Sequence, residues 1–272
     1  MRKLAVFAVF AVLVIFCAAV ACSAEDTYDV VKKKGVLVCG VKDSTPPFGF
    51  VDPKSRQIVG YDIDFCNAIA KKLGVKLELK AVTSASRMPQ LKEGNIDMIA
   101  ATMTKTAERA KEIDFSHAYF FTGQKFLVKK GTVSSLKDLD GKKIGTAKGS
   151  TSEQNAKKAL PNATVLSFDD YPPAFLALQQ GKVVAVTTDE TILAGLRAKA
   201  PNKEQFEIPS IQISDEPYGL GMRKGDKKFV DFVNKTILDM EKNGEAKKIY
   251  DKWFGPHSDL PMPRVFKIVA DK

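Results

Sequence analysis

The chain has 272 residues, of which 44% are hydrophobic, and it carries a formal net charge of +10. This is the composition of an ordinary globular protein, long enough for one large or two medium domains with their own cores. The basic charge does not favour a nucleic-acid-binding protein, because the lysines are dispersed along the chain and no aromatic residues are interleaved with them.

The N-terminus, residues 1–24, is predicted to be a secretory signal peptide. Arg2 and Lys3 precede an uncharged apolar run that ends in small residues, just before the first acidic residues. The run is also close to the length of a membrane span, so an uncleaved anchor is one alternative. A lipid anchor at Cys22 is another, because residues 19–22 loosely resemble a lipobox. We therefore expect an exported, periplasmic protein.

Two cysteines remain after the signal region, Cys39 in an apolar strand and Cys66 on an apolar helix. An oxidising compartment permits a disulfide between them, whereas their apolar surroundings are equally typical of two buried free thiols. No spacing typical of metal ligands occurs in the chain. We expect neither a metal nor a cofactor.

The predicted elements alternate between strands and helices. Residues 35–41 form a buried strand that leads into a turn-rich loop, residues 60–73 form a helix ended by Gly74, and a second strand follows. One pattern occurs twice, at residues 91–102 and 178–189: a helix ended by glycine, an apolar strand, and polar residues at its carboxyl end. This repeat predicts two similar α/β lobes.

The lobe boundaries are placed where the repeat restarts. Lobe one is expected to be discontinuous, with residues 25–124 and 218–256, and lobe two to comprise residues 125–217. Strands near residue 125 and at 214–221 would connect them.

The C-terminal part of the chain is expected to return to lobe one. Four apolar residues recur at helical spacing on the first of two predicted helices and are expected to pack as core: Val230, Val233, Ile237 and Met240. Residues 257–272 are expected to form an exposed tail.

A threonine-rich turn at residues 102–109 leads from an apolar strand into a short helical segment and predicts an anion site. Thr104 or Thr106 can cap the segment, whose free N–H groups and positive end favour a carboxylate. The guanidinium of Arg109 can hold that carboxylate through two hydrogen bonds. The spacing alone equally allows a surface arginine paired with Glu108 or Glu112.

Residues 102–109, followed by Asp114-Phe115-Ser116, are similar to the signature of the polar amino-acid-binding proteins of ABC importers, solute-binding protein family 3. The resemblance extends over the whole chain after the signal region. It implies an α/β fold of the type II periplasmic-binding-protein class, with two α/β lobes joined by a two-strand hinge. It also implies a monomer that captures an amino acid between the lobes and delivers it to the permease subunits of an ABC importer.

The resemblance implies roles for individual residues. Arg109 and Thr104 would bind the ligand's α-carboxylate, and Thr151 would add a donor from lobe two. Asp189 would bind the α-ammonium, with the Thr102 carbonyl as a second acceptor. A zwitterion would then leave neither buried protein charge unpaired. From the sequence alone, Asp189 and Thr151 could instead cap the helices that follow them.

The ligand's side chain would lie where relatives that take cationic amino acids or glutamine have two aromatic residues and this chain has Thr45 and Ser84, so that aromatic pair is missing here. Lys42, Ser84 and Arg87 form a polar, cationic set that is similar to the pocket of glutamate/aspartate-binding relatives, although those have an arginine in place of Lys42. Tyr171 is expected to be a further lining donor.

We therefore expect glutamate or aspartate as the ligand, with glutamine or a mixture of polar amino acids as the alternative. Arg87 could also form a salt bridge with Glu93 and have no contact with the ligand. A third alternative is an exported, dehydratase-like enzyme on the same scaffold. An enzyme is not expected, because the only histidines are His117 and His257 and no Ser/His/Asp, His-Glu-x-x-His or Cys/His arrangement occurs.

Overall fold

The computed structural model describes residues 25–271, so the predicted signal peptide and Cys22 lie outside the described residues. The strands are β1 (Val36–Val41), β2 (Ser44–Thr45), β3 (Gly49–Val51), β4 (Ile58–Val59), β5 (Lys76–Ala81), β6 (Met98–Ala100), β7 (Ile113–Phe115), β8 (Phe120–Lys129), β9 (Lys143–Ala147), β10 (Thr164–Phe168), β11 (Ala185–Asp189), β12 (Phe206–Glu207), β13 (Ser214–Tyr218) and β14 (Gly221–Arg223).

The α-helices are α1 (Thr27–Lys34), α2 (Tyr61–Leu73), α3 (Arg87–Lys92), α4 (Thr151–Ala159), α5 (Tyr171–Gln179), α6 (Glu190–Ala198), α7 (Lys227–Lys242) and α8 (Glu245–Phe254). Single 3-10 turns occur at Arg109–Lys111, Leu136–Leu139 and Lys203–Gln205. Within residues 25–271, no helix combines the length and the apolar character needed to cross a membrane.

Two larger sheets define two lobes. The first lobe contains the five-stranded sheet with order β5-β1-β6-β14-β7, in which β1 runs parallel to β5 and β6. The second lobe contains the sheet with order β10-β9-β11-β8-β12, in which β9 runs parallel to β10 and β11. A small sheet of β2, β3 and β4 lies beside the first lobe. The predicted pair of α/β lobes is therefore present.

Strands β8 and β13 connect the lobes. They pair antiparallel, from Tyr218 opposite Phe120 to Ser214 opposite Gln124. Beyond Gln124, β8 continues into the second sheet, and after Tyr218 the chain enters β14 of the first sheet. The predicted boundaries at 124/125 and 217/218 fall inside these two strands.

An aromatic cluster lies beneath the connecting strands. The ring of Phe48 lies 4.9 Å from that of Phe120 and 5.4 Å from that of Tyr218, and Phe120 is 5.3 Å from Phe254. Offset and edge-to-face contacts of this kind stabilise a core beyond the burial of their area. The start of β8 and the end of β13 are thus fixed to the first lobe.

Helices α7 and α8 pack against α1 and α2 of the first lobe. Val233, Ile237 and Met240 are buried and Val230 is partly buried against the same core, which confirms the prediction of a core-facing stripe. Cys39 and Cys66 are both buried free thiols, so the structure has the predicted pair of free thiols and not the disulfide.

The prediction of an exposed tail after residue 256 is wrong for the described part of that segment. Ile268 is only 3% exposed, the Arg264 guanidinium pairs with Glu241, and the Phe266 ring lies 5.3 Å from Phe120. The segment has no regular secondary structure, but its inward-facing residues lie at every second position. That short alternation is easily missed because no strand partner accompanies it.

Candidate functional site

The turn after β6 is held by a buried carboxylate. Thr102 has a left-handed backbone with a φ of 47°, and its N–H donates to Asp62 across 2.9 Å. The other Asp62 oxygen accepts the Tyr119 hydroxyl at 2.6 Å. Burial raises the pKa of Asp62 to about 6, although these two hydrogen bonds lower it. Asp62 lies in the helix predicted over residues 60–73, and the sequence alone assigned it no role.

Arg109 projects from the end of this turn towards the second lobe. Its guanidinium donates to the Thr104 carbonyl at 2.9 Å and to the Gly149 carbonyl at 3.4 Å. Neither Glu108 nor Glu112 forms an ion pair with it in the described structure, and Glu112 pairs with Lys92. The surface alternative for Arg109 is therefore wrong.

The environment of Arg109 suits an anion. Burial, together with the charge of Arg87, lowers the pKa of Arg109 to about 9, which leaves it charged at pH 7. The Thr106 hydroxyl accepts the Arg109 N–H at 3.1 Å, whereas Glu108 stands at the cap position of the segment and makes no side-chain cap hydrogen bond, so neither predicted threonine occupies that position. That segment is only a 3-10 turn, which makes the guanidinium the main cationic group there.

Thr104 and Thr151 meet from opposite lobes on one carboxylate. Glu216 Oε2 accepts the Thr104 hydroxyl at 2.6 Å and the Thr151 hydroxyl at 2.8 Å. Its Oε1 accepts hydrogen bonds from Asn155 and Ser214. Glu216 is 1% exposed on β13 and was missed by sequence reasoning, because an acid in a connecting strand belongs to no motif.

The capping alternatives for Thr151 and Asp189 are not supported by the contacts. Ser150, the residue before Thr151, caps α4 by accepting the Glu153 N–H. Asp189 stands at the cap position of α6 but makes no side-chain cap hydrogen bond. Both side chains are directed to other partners.

The Asp189 carboxylate, at the carboxyl end of β11, has one oxygen in use. It accepts the Tyr218 hydroxyl, whereas Oδ1 is buried and has no hydrogen-bond partner in the described structure. Burial and the neighbouring charge of Glu216 raise the pKa of Asp189 to about 8. A cation placed against Oδ1 would satisfy the free acceptor and favour the ionised form.

Arg87 begins α3 and is 2% exposed. One of its terminal nitrogens donates to the carbonyls of Ala101 and Thr102, and its Nε is buried without a partner in the described structure. No ion pair with Glu93 is present within residues 25–271. The Thr102 carbonyl, predicted as an ammonium acceptor, is thus already bonded to Arg87. Ser84 is buried in the turn that precedes α3.

Lys42 is fully buried and does not have the free ammonium that the sequence suggested. Its Nζ lies 2.9 Å from both carboxylate oxygens of Asp170, across the two lobes. Tyr171 is buried beside them, with its ring 5.7 Å from the Lys42 ammonium. Asp170 was not singled out in the sequence, although it directly precedes Tyr171.

Contacts between the lobes involve four of the predicted site residues, Lys42, Thr104, Arg109 and Thr151, and the other five are buried. Arg109 and Asp189 supply opposite charges, Arg87 supplies a further buried cation, and the charge of Lys42 is used within the protein. Within residues 25–271, no cluster of three His, Cys, Asp or Glu side chains could hold a metal ion. Arg109 and the free oxygen of Asp189 are the groups with which the two charges of a zwitterion would pair.

Comparison with known proteins shows the family of the chain. Residues 37–256 match the family model for bacterial extracellular solute-binding proteins, family 3. The ABC transporter glutamine-binding protein GlnH of Bacillus subtilis is 42% identical, over 85% of each chain. The glutamate/aspartate import solute-binding protein of Escherichia coli is 34% identical, over 85% of this chain and 80% of that protein.

A solved structure of an ancestral arginine-binding protein bound to glutamine has a TM-score of 0.77 and 44% identity. It covers 81% of this chain and 98% of its own. The α/β two-lobe fold class predicted from the sequence is confirmed by this likeness. The chain belongs to the bacterial extracellular solute-binding proteins of family 3.

Proposed function

We propose that the protein binds a polar L-amino acid between its lobes, with L-glutamine as the preferred ligand, and delivers it to an ABC importer. Arg109 with the Thr104 and Thr151 hydroxyls would bind the α-carboxylate, and Asp189 the α-ammonium. The hydroxyls would have to turn from Glu216 towards the ligand, and Glu216 would keep its bonds to Asn155 and Ser214.

The observation that carries the preference for a neutral side chain is the ion pair of Lys42 with Asp170. It removes one of the two cations that an acidic side chain was expected to meet. Once the ligand's ammonium favours the ionised form of Asp189, the charged groups of the region balance as three cations and three acids: Lys42, Arg87, Arg109, Asp170, Asp189 and Glu216. A net-neutral zwitterion preserves that balance, whereas glutamate adds one buried negative charge.

A glutamate or aspartate ligand is the second candidate, and Arg87 favours it. The Arg87 guanidinium is buried with an unpartnered Nε, and a side-chain carboxylate would satisfy it more strongly than an amide. Similar proteins support both candidates, since one is named for glutamine and another for glutamate and aspartate.

The test is calorimetric titration of the purified protein, unfolded and refolded to remove any carried-over amino acid, with glutamine, glutamate, aspartate, arginine and histidine. We expect micromolar or tighter binding of glutamine, which requires about −8 kcal/mol. Tight binding of the acidic amino acids alone would contradict the preference and support the second candidate. Binding of no amino acid would contradict the function itself.

The same proposal assigns the location and partners of the protein. Residues 1–24 would direct export to the periplasm, with a lipid anchor at Cys22 as the alternative, and separate permease subunits would receive the ligand. No catalysis is proposed. Incubation with glutamine followed by NMR should return the amino acid unchanged, and formation of a product would revive the enzyme alternative.

A further inference from the structure

The loop at residues 42–46 of the first lobe, which follows β1 and includes the short strand β2, is bound by the second lobe at a site that the proposed ligand does not need. Asp170, at the start of α5, accepts both the Lys42 ammonium at 2.9 Å and the Ser44 hydroxyl at 2.8 Å. Lys42 has no exposed surface, so its hydration shell is lost in this arrangement.

The same loop makes a second close contact with α6 of the second lobe. A Cβ atom built on Gly195 would lie 2.1 Å from the Pro46 carbonyl oxygen and 2.9 Å from its carbon. Both are backbone atoms, so no side-chain movement can relieve the overlap. The helix therefore approaches the loop this closely only because residue 195 is glycine.

We propose that Asp170 and Gly195 form a latch that holds the two lobes closed and thereby sets the affinity and residence time of the ligand without contacting it. This inference rests on the proposed function. Asp170 attracts the loop by accepting hydrogen bonds from Lys42 and Ser44. Gly195 has no side chain, and this lets the loop pack against α6.

The energetics of a buried ion pair explain why the latch acts on the closed state. When the lobes separate, the Lys42 ammonium and the Asp170 carboxylate are each hydrated. Removal of one partner then changes the free energy of the open state little. In the closed state, removal of one partner leaves the other charge buried and unpaired. Variants should therefore accelerate ligand dissociation, which is where most interface changes act.

A double-mutant cycle tests the electrostatic part. Lys42→Met and Asp170→Asn should each raise the Kd and the dissociation rate about tenfold or more, and the double variant should recover part of the loss. The factor should be the same for every amino acid with an uncharged side chain that the protein binds. Trp253, the single tryptophan, borders a groove that also contains Gly195, so its fluorescence can follow dissociation in a stopped-flow experiment.

Lys34→Met is the matched control, because Lys34 pairs with the buried carboxylate of Asp97 inside the first lobe. It should leave the Kd unchanged even where it lowers the thermal midpoint. Single variants with wild-type dissociation rates would overturn the latch. Losses that differ between amino acids with uncharged side chains would also overturn it, because they would make Lys42 a ligand contact.

Gly195→Ala tests the steric part and separates it from a folding defect. Alanine is the better helix former by about 1 kcal/mol, so the ligand-free protein should unfold at the same or a higher temperature. Its Kd should nevertheless rise at least about tenfold. Wild-type affinity in this variant would overturn the steric role, whereas failure of the unaltered protein to bind any amino acid would instead refute the proposed function.

Discussion

The hydroxyl of Tyr218 donates a hydrogen bond to the carboxylate of Asp189. Tyr218 ends the connecting strand β13 and is fixed by the aromatic cluster, with its ring 5.4 Å from that of Phe48. Asp189 ends β11 of the second lobe. The bond therefore orients the carboxylate from the other lobe and leaves its Oδ1 free for a ligand.

Asp189→Asn should weaken binding of every amino acid about 100-fold or more, because the ligand's ammonium would lose its ionised partner in a buried place. Tyr218→Phe should have a smaller effect, about tenfold, because it removes only the orienting hydrogen bond. Calorimetry on both variants checks this, with Asp215→Asn on the exposed side of β13 as the control. An unchanged Kd for Asp189→Asn would refute its role.

Asp62 predicts a pH dependence of stability. Its pKa is about 6 in the folded protein against an ordinary value of 3.8, so between these values the folded state binds more protons than the unfolded state. The contribution of Asp62 to the free energy of unfolding should therefore fall by about 3 kcal/mol as pH rises from about 4 to about 6, and this contribution should then level off.

Urea unfolding of the wild type and Asp62→Asn at pH 4.5 and pH 7 isolates this contribution. The wild type should gain stability relative to the variant at the lower pH. Parallel pH profiles for the two proteins, or a relative gain for the wild type at pH 7, would contradict the assignment.

Glu216→Gln should tighten ligand binding by up to about tenfold, because the Thr104 and Thr151 hydroxyls must leave Glu216 before they can donate to the ligand. Two hydroxyls donate to one carboxylate oxygen of Glu216 and two further groups to the other, and an amide retains only one acceptor oxygen. Thr104 and Thr151 would then be held less strongly away from the ligand. Glu207→Gln, on β12, is the control, and equal Kd values for both variants would contradict this role of Glu216.

The C-terminal segment should contribute to stability and not to binding. Ile268→Ala should lower the free energy of unfolding by about 2 to 5 kcal/mol, because it removes a buried side chain from the first lobe. The neighbouring Val269 is 61% exposed, and Val269→Ala should change stability by less than about 0.5 kcal/mol. Similar losses in the two variants would show that the segment does not pack as described.

Much of the architecture could be predicted because it follows from local patterns. The glycine-ended helix and apolar strand that recur in both lobes indicated the α/β units, and polar residues at the ends of those strands indicated where Arg109 and Asp189 would lie. The prediction for the C-terminal segment was wrong because its buried residues contact other elements without forming a regular strand or helix.

The site partners could not be predicted because they are distant in sequence. Thr104 and Glu216 are separated by 112 positions, and Lys42 and Asp170 by 128. No local periodicity links such pairs, so the sequence showed Lys42 as a free cation and did not single out Glu216. Only the folded arrangement shows that one charge is already neutralised, and this changes the expected ligand.

The most direct test of the central claim is a calorimetric comparison of L-glutamine with two analogues, one lacking the α-ammonium and the other lacking the α-carboxylate. The refolded protein should bind L-glutamine at micromolar or lower Kd, and each analogue at least about 100-fold more weakly, because each leaves Asp189 or Arg109 unpaired. Binding of either analogue as tightly as glutamine, or no binding of glutamine at all, would contradict recognition of a zwitterion by this pair.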